Sequence, residues 1–185
     1  TKKVLNRFDP KSNSFLRILI PSKRTERTPT DYIYSICESP DGSVWVASAR
    51  GLIRVMFHGD RDYDLQHYDL DPAAKDAALD NFIYCVRPAS REPNTLWLGT
   101  KAGLKKVRFS DRDPEFIQIA AAYRASPGSG LSNNIVPDFL EMPDGQLWVA
   151  TYHGLNLLDT KNGRFSAYFA EAGEQYSLGN SLIRS

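Results

Sequence analysis

The chain has 185 residues, 42% of them hydrophobic and 11% aromatic, which is enough apolar material for a packed core and too much for a disordered segment. Its 23 Lys and Arg almost cancel its 22 Asp and Glu, leaving a formal charge of +1, so the basic excess that a nucleic-acid face requires is missing. No run of about 18 apolar residues could span a membrane, and the opening TKKVLNRFDP lacks the apolar centre of a signal peptide, so any leader is expected outside these residues.

In chain order, the apolar runs are short, rich in β-branched and aromatic residues, and separated by turn signals. Leu5–Asp9 with Phe15 comes first. Tyr32–Cys37 follows, then the turn Pro40-Asp41-Gly42, then Ser43–Ser48, Leu52–Phe57 and Leu65–Leu70. The same order returns as Phe82–Arg87, Thr95–Thr100, Leu104–Phe109 and Phe116–Ile119. It returns again as Ile135–Leu140, Gln146–Thr151, Leu155–Leu158 and Phe165–Phe169. Only AAKDAALD at 73–80 leans towards helix, and its length suits one turn in a linker.

These runs belong to a repeat. DGSVWVASARGL at 41–52, PNTLWLGTKAGL at 93–104 and DGQLWVATYHGL at 144–155 share one pattern, with Trp45, Trp97 and Trp148 spaced 52 and 51 residues apart. Gly51, Gly103 and Gly154 keep the same register. Four strands in each unit of about fifty residues predict an all-β chain built of β-propeller blades. Each Trp is expected to fill the interface between neighbouring blades, and each Gly to start the third strand at a sharp reversal.

Residues 31–70, 82–123 and 135–169 read as three complete four-stranded blades. Residues 1–20 match 155–169 in register and read as the last two strands of a preceding blade, while 181–185 read as the start of the next. The whole is expected to be one propeller domain cut from a larger chain, because propellers close with about four to eight blades.

The pattern (P)DG-x-[LV]-W-[VL]-[AG]-[ST]-x-x-G-L, followed by a strand ending in Phe-Asp or Leu-Asp, resembles the two-component regulator propeller repeat over nearly the whole chain. Pro93-Asn94 replaces Asp-Gly in one unit, and Ser90-Arg91-Glu92 lengthens its preceding loop. The resemblance implies an extracytoplasmic, periplasmic or extracellular sensor of bacterial origin. Such propellers are followed by a β-sandwich, a transmembrane helix and a histidine kinase, and many respond to carbohydrates. The resemblance therefore implies a non-enzymatic ligand-sensing module, any kinase lying outside this segment. Its expected partners are a small-molecule or oligosaccharide ligand and the remaining blades and downstream domains of the same chain. A homodimer is left open, and neither nucleic acid nor membrane insertion is expected.

In a propeller, the loops between second and third strands and those between blades open onto one face. These positions vary between units while Trp and Gly do not, which suits a face individualised for a ligand. Tyr32, Tyr34, Phe82, Tyr84 and Tyr152 are candidates to stack on sugar rings. Arg50, Arg87, Lys101, Asn134 and His153 are candidates to supply hydrogen bonds. A propeller lyase or hydrolase acting on a polysaccharide or lactone, and an envelope interaction scaffold, stand as alternatives.

No catalytic set is legible. Asp60-Arg61-Asp62-Tyr63-Asp64 has the D-x-D-x-D start of a calcium loop, but Leu65 stands where Gly is needed and Asp71 where Glu is needed. A repeated turn accounts for it, since Asp111 falls at the matching place one unit later. His58, His67 and His153 have no metal-site spacing, and no nucleotide or cofactor fingerprint occurs, so neither cofactor nor metal is expected. Cys85 matches Ser35 while Cys37 matches Arg87, so the cysteines read as two incidental small buried residues, not a built disulfide.

Overall fold

The computed structural model describes residues 4–20, 32–70, 77–128 and 130–184. Residues 1–3 of the first expected hairpin, Asp31, the leading half of AAKDAALD and Ser185 lie outside the described residues. The chain opens with β1 (Val4–Asp9) and β2 (Ser14–Leu19), paired as an antiparallel hairpin. Three four-stranded antiparallel sheets follow, each in simple meander order. The first holds β3 (Ile33–Glu38), β4 (Val44–Ser48), β5 (Gly51–Phe57) and β6 (Tyr63–Tyr68). A single helical turn, α1 (Ala77–Asp80), leads to β7 (Ile83–Pro88), β8 (Thr95–Thr100), β9 (Gly103–Phe109) and β10 (Ile117–Tyr123). The third holds β11 (Asp138–Glu141), β12 (Gln146–Thr151), β13 (Gly154–Asp159) and β14 (Arg164–Tyr168). The sheets are blades that fan from their first strands, with β3 and β7 lying side by side.

Several strand limits differ from the sequence reading, most of them by one residue, and three have a clear physical setting. β11 starts at Asp138, not Ile135, because Pro137 has no N–H to give the ladder and the Val136 N–H donates instead to the Thr100 carbonyl of the preceding blade at 3.0 Å. β6 starts two residues early, at Tyr63, which pairs with Phe57. β10 runs on to Tyr123 through a bulge at Ala120, ending where the Tyr123 ring meets Trp97 at 6.2 Å.

Packing explains why the middle strands read as continuous apolar runs. Every residue of β8 is buried, since both faces of a central blade are covered. Trp45 and Ala47 point into the core shared with the second blade, while Val46, between them, points into the core shared with the β1–β2 hairpin. Trp97 occupies the equivalent core between second and third blades, with Val136, Phe139, Leu147 and Leu158. Outer strands have less to cover: β10 alternates, and β14 is mostly exposed.

Trp45 and Trp97 are 0% and 1% exposed, but Trp148 is only half-buried. The three rings are equivalent in register, each pairing with a β-ladder partner on the third strand, Arg54, Lys106 and Leu157. The difference is the neighbour. Trp45 meets Phe109 of the next blade at 4.8 Å, whereas Trp148 meets Tyr168 of its own blade at 5.5 Å.

Arg54 locks the first two blades together. Its guanidinium lies over Trp45 and Phe109 at 5.3 and 5.0 Å, pairs with Asp41, and donates to the Ser110 carbonyl at 2.8 Å. Burial pushes the Asp41 carboxyl up, but hydrogen bonds from Ser39, Ser43 and Arg54 outweigh it and hold the pKa at about 2. The cysteines are free: Cys85 is buried and Cys37 half-buried beside the first inter-blade core.

Candidate ligand-binding face

Each turn between second and third strands is clamped in the same way. The hydroxyls of Ser48, Thr100 and Thr151 donate to the carbonyls of Gly51, Gly103 and Gly154 at 2.9, 2.8 and 2.7 Å. They accept the N–H of Arg50, Ala102 and His153 in return. The glycine is required because its φ is +110° at Gly51, and an added Cβ would come within 2.6 Å of the Tyr68 carbonyl oxygen. The first turn residue then reaches the start of the blade's inner strand: Ala49, Lys101 and Tyr152 donate N–H to the carbonyls of Tyr32, Phe82 and Ile135. Turn and inner strand thus form one rim.

On that rim two bulges set the chemistry. Ile33 pairs with Ser48 and Ser35 with Ala47, leaving Tyr34 out of the ladder; Ile83 pairs with Thr100 and Cys85 with Gly99, leaving Tyr84 out in the same way. A bulged residue is freed to turn its side chain away from the sheet. The rings of Tyr34, Phe82 and Tyr84 meet in a triangle with centroids 5.0 to 5.3 Å apart. Tyr32 packs on Tyr34 at 6.3 Å, and Tyr152 of the third blade comes near enough to Tyr34 and Tyr84 to raise both phenols. The Lys101 ammonium sits 3.7 Å from the Phe82 ring centre. Tyr32, Tyr34 and Tyr152 remain 58%, 42% and 37% exposed, so the cluster presents open ring surface. Burial, together with Tyr152 and Tyr34, pushes the Tyr84 hydroxyl up to about 12; burial, with Tyr32 and Tyr152, raises Tyr34 as well. Both phenols stay neutral hydrogen-bonding groups at physiological pH.

The other sequence candidates are placed elsewhere. Arg87 bridges inner strands, donating to Asp138 at 2.9 Å. His153 occupies the second turn position and packs on Phe169 at 5.4 Å, and Arg50 takes the same turn position in the first blade. The Asn134 side chain accepts the Ala125 N–H at 2.7 Å and holds the linker between blades.

The sequence reading missed the support beneath the rim. Asp80, 1% exposed, accepts from the buried Lys105 ammonium at 2.9 Å and from Arg124 at 3.1 Å. It stands two residues before Phe82 and pins that segment to β9. One blade later, buried Asn156 holds the matching segment, accepting the Ser132 N–H at 2.9 Å. The signal was Lys105, a lysine directly after Gly103-Leu104 in a third strand, where the first blade has the apolar Ile53. A hollow of about 510 Å³ lies instead at the outer side of the third blade, between Trp148, Tyr168 and Tyr176. Among the described residues no three His, Cys, Asp or Glu side chains gather as a metal site. Open aromatic surface with phenol hydroxyls and one ammonium suits recognition of a ring-shaped polar ligand by stacking and hydrogen bonds.

The architecture is that of a β-propeller. The sequence model of the two component regulator propeller matches residues 28–50, in agreement with the resemblance read from the repeats. No curated protein matches the chain in sequence. Among solved structures, the chain is similar to the extracellular domain of BT4673 from B. thetaiotaomicron, assigned to a hybrid two component system, with TM-score 0.69 and 18% identity. That match covers 97% of this chain and 22% of the other. It is similar also to the extracellular domain of BT3049 from the same organism, likewise so assigned, with TM-score 0.61, 22% identity, and coverage of 84% and 20%. A third is virginiamycin B lyase from Staphylococcus aureus, catalytically inactive and with quinupristin, with TM-score 0.57, 16% identity, and coverage of 91% and 49%. The chain thus spans about a fifth of the two-component domains it resembles, and likeness at these identities establishes the fold alone.

Proposed function

We propose that this chain is part of an extracytoplasmic sensor propeller of a bacterial two-component receptor, and that it binds a sugar ligand on the aromatic rim. The observation that carries the reading is the convergence of Tyr34, Phe82, Tyr84 and Tyr152 from three separate blades onto one face. A site assembled across blades reports their relative orientation. A ligand bridging them would favour one arrangement and pass it along the propeller to whatever domain follows. The module itself is read as non-enzymatic, without cofactor or metal, its signalling enzyme lying elsewhere in the receptor.

The likeness to a lyase favours a second reading, in which the same face performs acid–base chemistry. It is the weaker one, because the Tyr34 and Tyr84 phenols are shifted away from physiological pH and His153 packs on Phe169, whereas a general base is best poised near the working pH. Calorimetry against a panel of neutral and acidic oligosaccharides, with Tyr84→Ala and Tyr34→Ala as controls, tests the reading. Saturable binding lost in both variants supports it. Turnover of any bound saccharide would establish the lyase reading, and absence of binding across the panel would refute sugar sensing.

A further inference from the structure

The charge on the rim narrows the ligand class. The buried Arg54 and Lys105 and the partly buried Lys106 each close on a carboxylate: Arg54 on Asp41, Lys105 on Asp80 and Lys106 on Glu92. Lys101 does not. Its ammonium lies against the Phe82 ring, and among the described residues no carboxylate meets it. An aromatic face supplies only part of what an ammonium loses on leaving water, so Lys101 keeps donor capacity for an anion.

The repeat register extends this charge around the rim. Gly154 donates to the Ser181 carbonyl as Gly51 does to Asn81, both at 2.6 Å, and Ile183 donates to Thr151 as Val136 does to Thr100. Arg184, which is exposed, therefore stands at the position that Tyr34 and Tyr84 hold in earlier units. The rim positions are Tyr32, Tyr34, Phe82, Tyr84, Ile135, Pro137, Leu182 and Arg184, at or just before the inner strands and at the matching places of the last segment, with Ala49, Lys101 and Tyr152 on the turns. Five of these positions are aromatic, Lys101 and Arg184 are cationic, the other four are aliphatic, and none of them carries a carboxylate.

We propose that the ligand is an acidic glycan, its sugar ring stacked on the exposed tyrosines and its carboxylate or sulfate substituent received by the Lys101 ammonium. This inference rests on the sugar-binding reading above and narrows it. An exposed ring and a neighbouring unpaired ammonium match the two faces of a uronate or sulfated sugar: an apolar C–H surface and an anion at its edge.

The test uses an immobilised panel of matched pairs: oligogalacturonate, alginate, hyaluronan and sulfated galactan oligosaccharides, each beside its carboxyl-reduced or desulfated neutral product. The protein, Lys101→Gln, Lys101→Arg and Tyr84→Ala are compared on it. The expected result is binding to an acidic member and not to its neutral partner, weakened roughly tenfold or more by Lys101→Gln, largely restored by Lys101→Arg, and diminished by added salt. Uronate and sulfate pairs tell the two anions apart. Equal binding to both members of a pair, unchanged in Lys101→Gln, would overturn the acidic-glycan inference while leaving sugar recognition standing. Binding to no member of either kind would overturn both.

Discussion

The rings of Tyr34 and Tyr84 meet edge to face with centroids 5.3 Å apart, although they belong to separate sheets and each is the bulged residue of its own inner strand. The same local irregularity in two consecutive blades brings two phenols together. A regular ladder would have kept both residues in the sheet. The bulge therefore links the repeat to the site, because it converts a β-rich strand into a platform that spans two blades.

Replacing either ring should weaken sugar binding without unfolding the blade. Tyr34→Ala and Tyr84→Ala are each expected to reduce affinity by roughly tenfold or more, in line with the loss of one stacking aromatic. Tyr84→Phe, which keeps the ring and loses only the hydroxyl, should cost less. Isothermal titration would measure all three, and an unaltered affinity in both alanine variants would remove the platform from the site.

The tryptophans should separate by their neighbours. Trp97→Ala is expected to destabilise by about 3–5 kcal/mol, the range for deleting a large buried aromatic. Trp148→Ala, with a half-buried ring, should cost about 1–2 kcal/mol. Urea midpoints for the two variants decide it: a loss below about 1 kcal/mol at Trp97 would mean that its ring does not seal the blade interface.

The fold was legible because its determinants recur. Trp, Gly and Ser/Thr return at each unit for one reason, an inter-blade core and a clamped turn, and repetition separates them from chance. The aromatic candidates were legible as variable positions on one face, and Tyr32, Tyr34, Phe82, Tyr84, Lys101 and Tyr152 do gather there. The Tyr34 and Tyr84 bulges were not legible, since one unpaired residue leaves the alternation of a short strand almost unchanged. Nor was the partner of Lys105, because Asp80 lies 25 residues away and is brought to it by packing alone.

That buried pair yields a stability prediction. Asp80 and Lys105 are 1% and 3% exposed, so removing one leaves the other charged and desolvated. Asp80→Asn is expected to cost about 3–5 kcal/mol, and Asp80→Leu with Lys105→Met should recover part of that loss. Thermal melts of the single and double variants form the cycle. Additive losses would show that the two residues act independently.

Alkaline titration tests the rim from a different side. The Tyr84 pKa is pushed up to about 12 from an ordinary 10.0 by burial and by the neighbouring Tyr152 and Tyr34. The folded state therefore holds the Tyr84 proton over a range in which the unfolded chain has released it. Where the folded state binds more protons, stability falls as pH rises. The contribution of Tyr84 is thus complete below pH 10 and is lost as pH climbs towards 12. Phenolate absorbance should show a late-titrating tyrosine that disappears in Tyr84→Phe. The same variant should flatten the decline of stability over that window. If all tyrosines of the folded protein ionise together near their ordinary value, Tyr84 is solvated, and the rim is more open than the ring distances describe.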